Sequence, residues 1–156
     1  MAHKEKTNTV VNFVDAKNIE DAILEQETDI LVLAALENSV TAENAGQIKA
    51  HLIIELANGP ITLDADEILS AANVTVVPDI LANAGGVAVS YFEQVQNAYG
   101  YYWEEDEVLQ KLEKLMVVSF NEVWERKEKY KSDMRMGAYA LAVERVAQAM
   151  KDRGRV

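Results

Sequence analysis

Residues 74–86 read VTVVPDILANAGG, a short apolar run followed by a loop and a Gly-Gly pair. Its β-branched start predicts a buried strand over Val74–Val77, and its Gly-Gly pair opens a helix predicted over Gly86–Tyr99. Two further apolar runs precede it, DILVLA over Asp29–Ala34 and LIIELA over Leu52–Ala57. Each carries apolar residues at successive positions, which is typical of strands buried on both faces of a sheet.

Helical segments separate these strands. The sequence predicts a short helix over Ile19–Gln26. A second helix is predicted from its cap at Thr41 through Ile48. A third begins at the Asp64-x-x-Glu67 capping signal and ends near Ala72. Thr9–Phe13 is a further candidate strand. Continuous apolar strands alternating with helices indicate a parallel sheet. We therefore expect an α/β fold, a partial Rossmann-like parallel sheet of three to four strands flanked by helices.

The last third of the chain is predicted to be entirely helical. Gly86–Tyr99 is followed by a long helix over Glu104–Lys131 and a final helix over Asp133–Asp152. The long helix begins with four acidic residues and ends with lysines, which complements the helix dipole. In the final helix the predicted inward residues are Met134, Ala138, Leu141, Ala142, Val146, Ala149 and Met150. We expect residues 1–156 to form one domain, with a partial nucleotide-binding unit over 9–86 and a helical extension over 87–156.

Composition excludes several classes of function. Among the 156 residues there is no cysteine, so no disulfide and no thiolate site can form, and the net charge of −11 disfavours nucleic acid and anionic membranes. The longest apolar run, Ile30–Leu36, is far shorter than the roughly 20 residues that span a membrane. His3 and His51 have no partners at metal-ligand spacing, so no metal site is expected. The amino-terminal residues contain no apolar signal segment, and we expect a cytoplasmic protein.

Candidate chemistry lies at the carboxyl ends of the three strands, where open α/β sheets bind ligands. Small Ala34 and Ala35 follow the first strand and allow a ring or ribose close to the backbone. Asn58 follows the second strand and Asn83 the third, and both side chains can pair with a carboxamide or a hydroxyl group. The Gly-Gly pair opens a helix whose amides suit an anion, and Ser90 can donate to a carboxylate. The alternative is that Asn-Gly-Pro is only a turn and Gly-Gly only a tight connection.

The chain also resembles a known family from about Thr9 to Gly154. It is similar to the carboxyl-terminal part of the glutamate/leucine/phenylalanine/valine dehydrogenase family, and most of all to glutamate dehydrogenases. The resemblance rests on the segments VLAALE at Val32–Glu37, ELANGP at Glu55–Pro60, PDILANAGGVAVSYFE at Pro78–Glu93, Val95–Asn97, Tyr101–Trp103 and Asp133–Arg135.

This resemblance implies an amino-acid dehydrogenase that uses NAD or NADP. It implies four residues that face the cofactor, namely Ala34, Ala35, Asn58 and Asn83, with Asn83 near the nicotinamide. It also implies that Val87 and Ser90 lie against the substrate, with Ser90 binding the side-chain carboxylate of glutamate. The chain departs from the family at Leu56, which replaces a usual glycine and is expected to crowd the cofactor crevice.

Several parts of the expected machinery do not occur in this sequence. Its seven glycines never fall in a G-x-G-x-x-G pattern, so no pyrophosphate-binding turn is predicted. The family's catalytic lysine and aspartate belong to a preceding domain, so no catalytic residue is assigned and the chain alone is expected to be inactive. One alternative is a non-catalytic binding or oligomerisation module that retains only the fold. Another is a half-enzyme completed by a separate chain.

An incomplete sheet predicts association. A strand edge without a neighbour and the apolar faces beside it are surfaces that proteins usually cover. We therefore expect a homo-oligomer that forms through the sheet edge or the helices.

Overall fold

The computed structural model describes Lys6 and residues 23–154. Within these residues the chain forms three strands, a 3-10 turn and five α-helices. In chain order they are β1 (Ile30–Leu33), the turn Ala45–Gln47, β2 (Leu52–Glu55), α1 (Leu63–Ala71), β3 (Thr75–Val77), α2 (Asp79–Ala82), α3 (Ala84–Tyr99), α4 (Glu105–Tyr130) and α5 (Met134–Asp152). The strand predicted over Thr9–Phe13 lies outside the described residues, as does the first half of the helix predicted over Ile19–Gln26.

The three strands form one parallel sheet in the order β1-β2-β3. Ile53 in the central strand lies opposite Leu31 of β1 and Val76 of β3. The parallel arrangement and the helices that flank the sheet confirm the predicted α/β class and its partial Rossmann-like parallel sheet.

One face of the sheet is well covered. Leu31, Leu33 and Ile53 point to this face and pack with Ala65 and Leu69 of α1 in the main hydrophobic core. Ile53 and Ala65 have no exposed surface, so α1 closes tightly over the central strand.

The other face is covered unevenly, which corrects the expectation that every strand is buried on both sides. Ile30 and Val32 of β1 are 50% and 49% exposed. Over β3, by contrast, Val77 packs against a second core cluster of Leu81, Val123, Met134, Ala138 and Leu141. Helices α2, α4 and α5 contribute that cluster and lie near β3, so β1 keeps an open apolar face.

Helices α4 and α5 approach closely at Gly137. A Cβ atom at this position would lie 2.8 Å from the Val123 carbonyl oxygen and 3.0 Å from the Lys127 nitrogen. Beyond Leu141 the contact with α4 is made by charged side chains, such as the pair Arg126–Glu144.

The predicted inward stripe is therefore wrong for the second half of α5. Val146 is 62% exposed and Met150 is 43% exposed, and Ala142 and Ala149 are exposed as well.

Two local predictions are corrected by side-chain hydrogen bonds. The segment after Thr41 forms only a short 3-10 turn, because Asn44 accepts from the Thr41 nitrogen at 2.8 Å and donates to the Ser39 carbonyl at 3.0 Å. Helix α1 is capped by Thr62, not by Asp64, since the Thr62 hydroxyl accepts from the Ala65 nitrogen at 3.4 Å.

The long helices match their predictions closely. Helix α4 has 26 residues, with acidic residues in its first turn and lysines in its last. Its length is about 39 Å at the usual rise per residue. The Asp133 carboxylate caps α5 by accepting from the Met136 nitrogen at 2.7 Å.

Candidate functional site

The loops that follow the three strands meet at one edge of the sheet, as a parallel arrangement requires. The Leu33 carbonyl at the end of β1 accepts hydrogen bonds from the nitrogens of Leu56 and Ala57, each at 2.8 Å. The Asn38 nitrogen donates to the Gly59 carbonyl at 2.9 Å. The first two loops are thus bonded to each other through their backbones.

The third loop joins them through Asn83. Its Nδ2 donates to the Asn58 Oδ1 at 2.7 Å and to the Leu56 carbonyl at 3.3 Å. Because the Leu56 carbonyl can only accept, this contact also determines which end of the Asn83 amide is the donor. The two asparagines predicted from separate strand ends therefore form one side-chain pair.

This pair retains the groups that would suit a carboxamide. Both hydrogens of the Asn83 amide are used, which leaves its Oδ1 as an acceptor, and the Asn58 Nδ2 remains a donor among the described contacts. A carboxamide offers the complementary donor and acceptor. The chemistry of the pair therefore fits the nicotinamide end of a dinucleotide.

A buried carboxylate lies next to this pair in the chain. Glu55 ends β2 and its side chain is fully buried. Its two oxygens accept from Arg135, with Nη2 to Oε1 at 2.8 Å and Nη1 to Oε2 at 3.0 Å. The same guanidinium donates from Nε to Asp66 Oδ2 of α1 at 2.8 Å. Burial lowers the pKa of Arg135, but the hydrogen bonds to the two carboxylates outweigh it and hold the pKa above its ordinary value.

Asp79 connects this buried pair to the asparagine loops. Its backbone nitrogen donates to Glu55 Oε2 at 2.8 Å, and its own Oδ2 accepts from the Gly59 nitrogen at 2.8 Å. Its Oδ1 accepts from the Ile80 nitrogen at 2.7 Å and lies 3.7 Å from Arg135 Nη1. We call Arg135, Glu55, Asp66 and Asp79 the strand-end network.

Ala34 and Ala35 lie elsewhere on the same edge. Both are exposed and line a cavity of about 540 Å³. The described residues that line this cavity are 23, 24, 31–39, 41 and 44, and neither Asn58 nor Asn83 is among them. The four residues predicted to face a cofactor therefore fall into two neighbouring groups.

Val87 and Ser90 lie in the first two turns of α3. Val87 is 77% exposed, and Ser90 is also exposed and donates to the Gly86 carbonyl at 3.0 Å. They follow Asn83 by four and seven residues, a spacing that places all three on one side of the helix. Leu56 is 44% exposed beside this edge.

Sequence reasoning missed the strand-end network. Its members are 11 to 80 positions apart, and nothing in their spacing links them. One signal was present, because Glu55 directly follows three apolar residues of a strand predicted to be buried. A carboxylate there needs a cationic partner, since an unpaired buried charge is very costly.

Two kinds of feature do not occur among the described residues. Among Lys6 and residues 23–154 no group of three or more His, Cys, Asp or Glu side chains is placed to hold a metal ion. Within the same residues no helix is both long enough and apolar enough to cross a membrane.

Comparison with known proteins gives the same family along nearly the whole chain. The family model described as Glutamate/Leucine/Phenylalanine/Valine dehydrogenase matches residues 1–154. A glutamate dehydrogenase of Thermotoga maritima is 52% identical over 97% of this chain. An NAD-specific glutamate dehydrogenase of Clostridioides difficile is 51% identical over 93% of it. The chain spans only 37% and 35% of the length of these two relatives.

Solved structures agree with this result. The glutamate dehydrogenase of Peptoniphilus asaccharolyticus superposes on 98% of this chain with a TM-score of 0.78 and 39% identity. The hetero-hexameric glutamate dehydrogenase of Thermus thermophilus superposes on 97% with a TM-score of 0.85 and 32% identity. The matched part is 34% and 36% of those chains.

Proposed function

The chain belongs to the glutamate/leucine/phenylalanine/valine dehydrogenase family, and from this premise we propose that it forms the carboxyl-terminal segment of an NAD(P)-dependent glutamate dehydrogenase. The reaction class is the oxidative deamination of glutamate to 2-oxoglutarate, an oxidoreductase step of amino-acid metabolism. The cofactor, when bound, supplies the hydride acceptor. The segment contributes one wall of the cleft in which that reaction takes place.

The observation that carries this proposal is the Asn58–Asn83 pair. It joins the loops after β2 and β3, and it presents one donor and one acceptor at the edge where parallel sheets bind nucleotides. In the proposed site the pair orients the nicotinamide carboxamide, with Asn83 closest to the ring. Ala34 and Ala35 accept the more distant part of the cofactor, where their small side chains leave room. Either NAD or NADP fits this arrangement.

The substrate wall is formed by α3. In the proposal Val87 packs against the aliphatic part of glutamate, and Ser90 donates to its side-chain carboxylate. Ser90 currently donates to Gly86 within the helix, and the hydroxyl can rotate to a ligand without a backbone change. A hydroxyl at this position favours an acidic amino acid over a branched or aromatic one.

We propose that these 156 residues do not turn over glutamate by themselves. No lysine directly follows any of the three strand ends, where an amine of lowered pKa would have to act, and no G-x-G-x-x-G turn occurs. A cleft that excludes water needs a second wall. The substrate domain of the enzyme would supply this wall, and in the half-enzyme alternative a separate chain carries that domain.

The alternative function is a non-catalytic binding or oligomerisation module that retains only the fold. The open apolar surface favours it, since Ile30 and Val32 of β1 are about half exposed and α3 has no buried residue. Such surfaces usually mark contact sites. We propose that the chain forms a homo-oligomer through this sheet edge or through the helices. We also propose that the protein is cytoplasmic and binds neither nucleic acid nor membranes.

Calorimetric titration with NAD and NADP tests the cofactor site. The chain is expected to bind, and Asn83→Ala should weaken the affinity by about tenfold or more, because the hydrogen bonds of Asn83 to Asn58 and to the Leu56 carbonyl are lost. Asn121→Ala is the matched control, an identical change at an exposed position of α4, and should leave affinity unchanged. Absence of binding by the unaltered chain would contradict the cofactor site and favour the module.

Two further measurements separate the remaining alternatives. Adding glutamate and NAD(P) to the purified chain should give no reduced cofactor, and turnover would refute the inactivity of the chain alone. Light scattering should give a mass above the 17.3 kDa of one chain. A mass equal to one chain would refute the homo-oligomer.

A further inference from the structure

Arg135 uses every nitrogen of its guanidinium on the strand-end network. Nη1 and Nη2 donate to the two oxygens of Glu55 at 3.0 and 2.8 Å, and Nε donates to Asp66 at 2.8 Å. The planar fork of arginine matches a carboxylate in this two-bonded way. A residue in the first turn of α5 therefore bonds both to the last residue of β2 and to the first turn of α1.

Arg135 reaches the asparagine pair only through other residues. Glu55 Oε2, which Arg135 holds, also accepts from the Asp79 nitrogen at 2.8 Å. Asp79 in turn accepts from the Gly59 nitrogen, one residue after Asn58, at 2.8 Å. Asn83 follows directly after α2, the short helix that Asp79 begins. Each asparagine is thus held on a loop whose backbone is bonded to the network.

The network depends on a cation at its centre. Glu55 is fully buried, Asp66 is bonded to the same guanidinium and Asp79 lies near it, so three carboxylates share one positive group. Without it, Glu55 is a buried charge with no cationic partner, and its side chain must move towards water, which weakens its bond to the Asp79 nitrogen. The loop from Asp79 to Asn83 then loses its fixed position relative to Asn58.

We propose that Arg135 is a positioning residue that sets the geometry of the Asn58–Asn83 pair from the first turn of α5. Its relevance to the cofactor rests on the function proposed above, in which this pair orients a carboxamide. A lysine cannot replace it, because a single ammonium group does not reproduce the two-bonded contact with Glu55 together with the Nε bond to Asp66.

Arg126 provides the matched comparison for a purely structural role. It also bridges to α5, donating from Nε to Glu144 at 3.0 Å, and its side chain is 24% exposed against 17% for Arg135. No described contact joins Arg126 to a strand end. If both arginines only attach α5, substituting either one should have the same effect on the asparagine pair. If Arg135 positions the pair, only its substitution should alter the pair.

Nuclear magnetic resonance of the ¹⁵N-labelled full chain tests the proposal. The observables are the side-chain Nδ2 signals of Asn83 and the hydrogen-exchange rates of the Gly59 and Asp79 backbone amides. Arg135→Lys should raise both exchange rates by about tenfold or more and shift the Asn83 signals. Arg126→Lys should leave all of them as in the unaltered chain. Equal behaviour of the two variants at these positions would overturn the proposal.

A double variant covers the case in which Arg135→Lys does not fold. Glu55→Gln combined with Arg135→Met removes the fully buried charge together with its partner, and Asp66 and Asp79, which lose the same partner, are both partly exposed to water. This variant should therefore fold while the Asn83 signals still shift. Unchanged Asn83 signals in this variant would overturn the proposal. Calorimetric titration of the unaltered chain with NAD tests the cofactor site independently of the resonance experiment. Failure to bind would refute the proposed cofactor site, and the resonance data would still decide whether Arg135 positions the pair.

Discussion

Helix α5 is held by two ion-pair networks of similar composition and very different burial. The strand-end network joins Arg135 to Glu55, whose side chain has no exposed surface. The second, which we call the helix-pair network, consists of Arg126, Lys129, Tyr130 and Glu144. Glu144 accepts from Tyr130 at 2.7 Å, Arg126 at 3.0 Å and Lys129 at 3.3 Å, and its side chain is 34% exposed.

The difference shows how burial changes the role of a charged contact. Water can replace a lost partner at the helix-pair network, so such exposed pairs contribute little to stability. At the strand-end network water has no access to Glu55, and loss of its partner leaves a charge that nothing compensates. The strand-end network therefore connects the loops that follow β2 and β3, while the helix-pair network only adds contact between α4 and α5.

The largest effect is expected for Arg135→Met. Breaking a buried ion pair from one side should lower the free energy of unfolding by about 3–5 kcal/mol. Urea denaturation followed by circular dichroism measures this change. The double variant Glu55→Gln with Arg135→Met provides a second comparison. It should recover much of the lost free energy of unfolding, because the buried charge is gone. Equal losses for Arg135→Met and Arg126→Met would remove the distinction between the two networks.

A smaller effect is expected for Gly137→Ala, at the close approach between α4 and α5. The added Cβ would lie 2.8 Å from the Val123 carbonyl, so the helices must separate or shift. Overpacking of this kind should lower the free energy of unfolding by about 1–3 kcal/mol. Gly46→Ala is the matched control, because a Cβ there meets nothing within 4 Å. If Gly137→Ala unfolds at the same urea concentration as Gly46→Ala, the close approach is absent in solution.

The smallest effect is expected at the helix-pair network and depends on pH. Hydrogen bonds from Tyr130, Arg126 and Lys129 lower the pKa of Glu144 to about 2 from its ordinary value of 4.5. The ionised carboxylate therefore stabilises the fold above pH 4.5, and this contribution is lost as the pH falls towards 2.

Thermal unfolding between pH 6 and 2 tests this dependence, with pH values chosen to bracket the two pKa values of about 4.5 and about 2. The unaltered chain should be slightly more stable than Glu144→Gln above pH 4.5, and the two should converge near pH 2. Added salt should reduce the difference, because the network is exposed. Glu113→Gln, at an exposed glutamate of α4 outside the network, is the control. A difference between the unaltered chain and Glu144→Gln that grows in acid would contradict the assignment.

Much of the fold follows from periodicity. The apolar runs around Leu31, Ile53 and Val76 predicted three strands, and the resemblance carried by Pro78–Glu93 predicted the family that the comparisons confirm. Helix α4 was predicted to within one residue at each end. In a long helix or strand many residues favour the same structure, so one residue with a different preference does not change the predicted element.

Short polar contacts were not predictable in this way. Asn44 redirects its segment into a turn through two side-chain hydrogen bonds, and no residue pattern distinguishes it from a helical asparagine. The end of α5 has apolar residues at helical spacing, yet Val146 and Met150 are exposed because charged residues make the contact with α4 there. The residues proposed for the cofactor and the substrate remain predictions.

Residue patterns and the resemblance alone were enough to predict the three parallel strands, the long helices, the family and the two asparagines at the strand ends. Those properties depend on neighbouring residues, and neighbours along the chain are visible in the sequence. Only the tertiary structure decided that Asn58 and Asn83 pair, that Ala34 and Ala35 lie in a separate cavity, and that Arg135 meets Glu55 across 80 positions. The contact between Arg135 and Glu55 forms because folding buries the Glu55 charge, and a buried charge needs a partner of opposite charge. Separation along the chain does not show which residue becomes that partner.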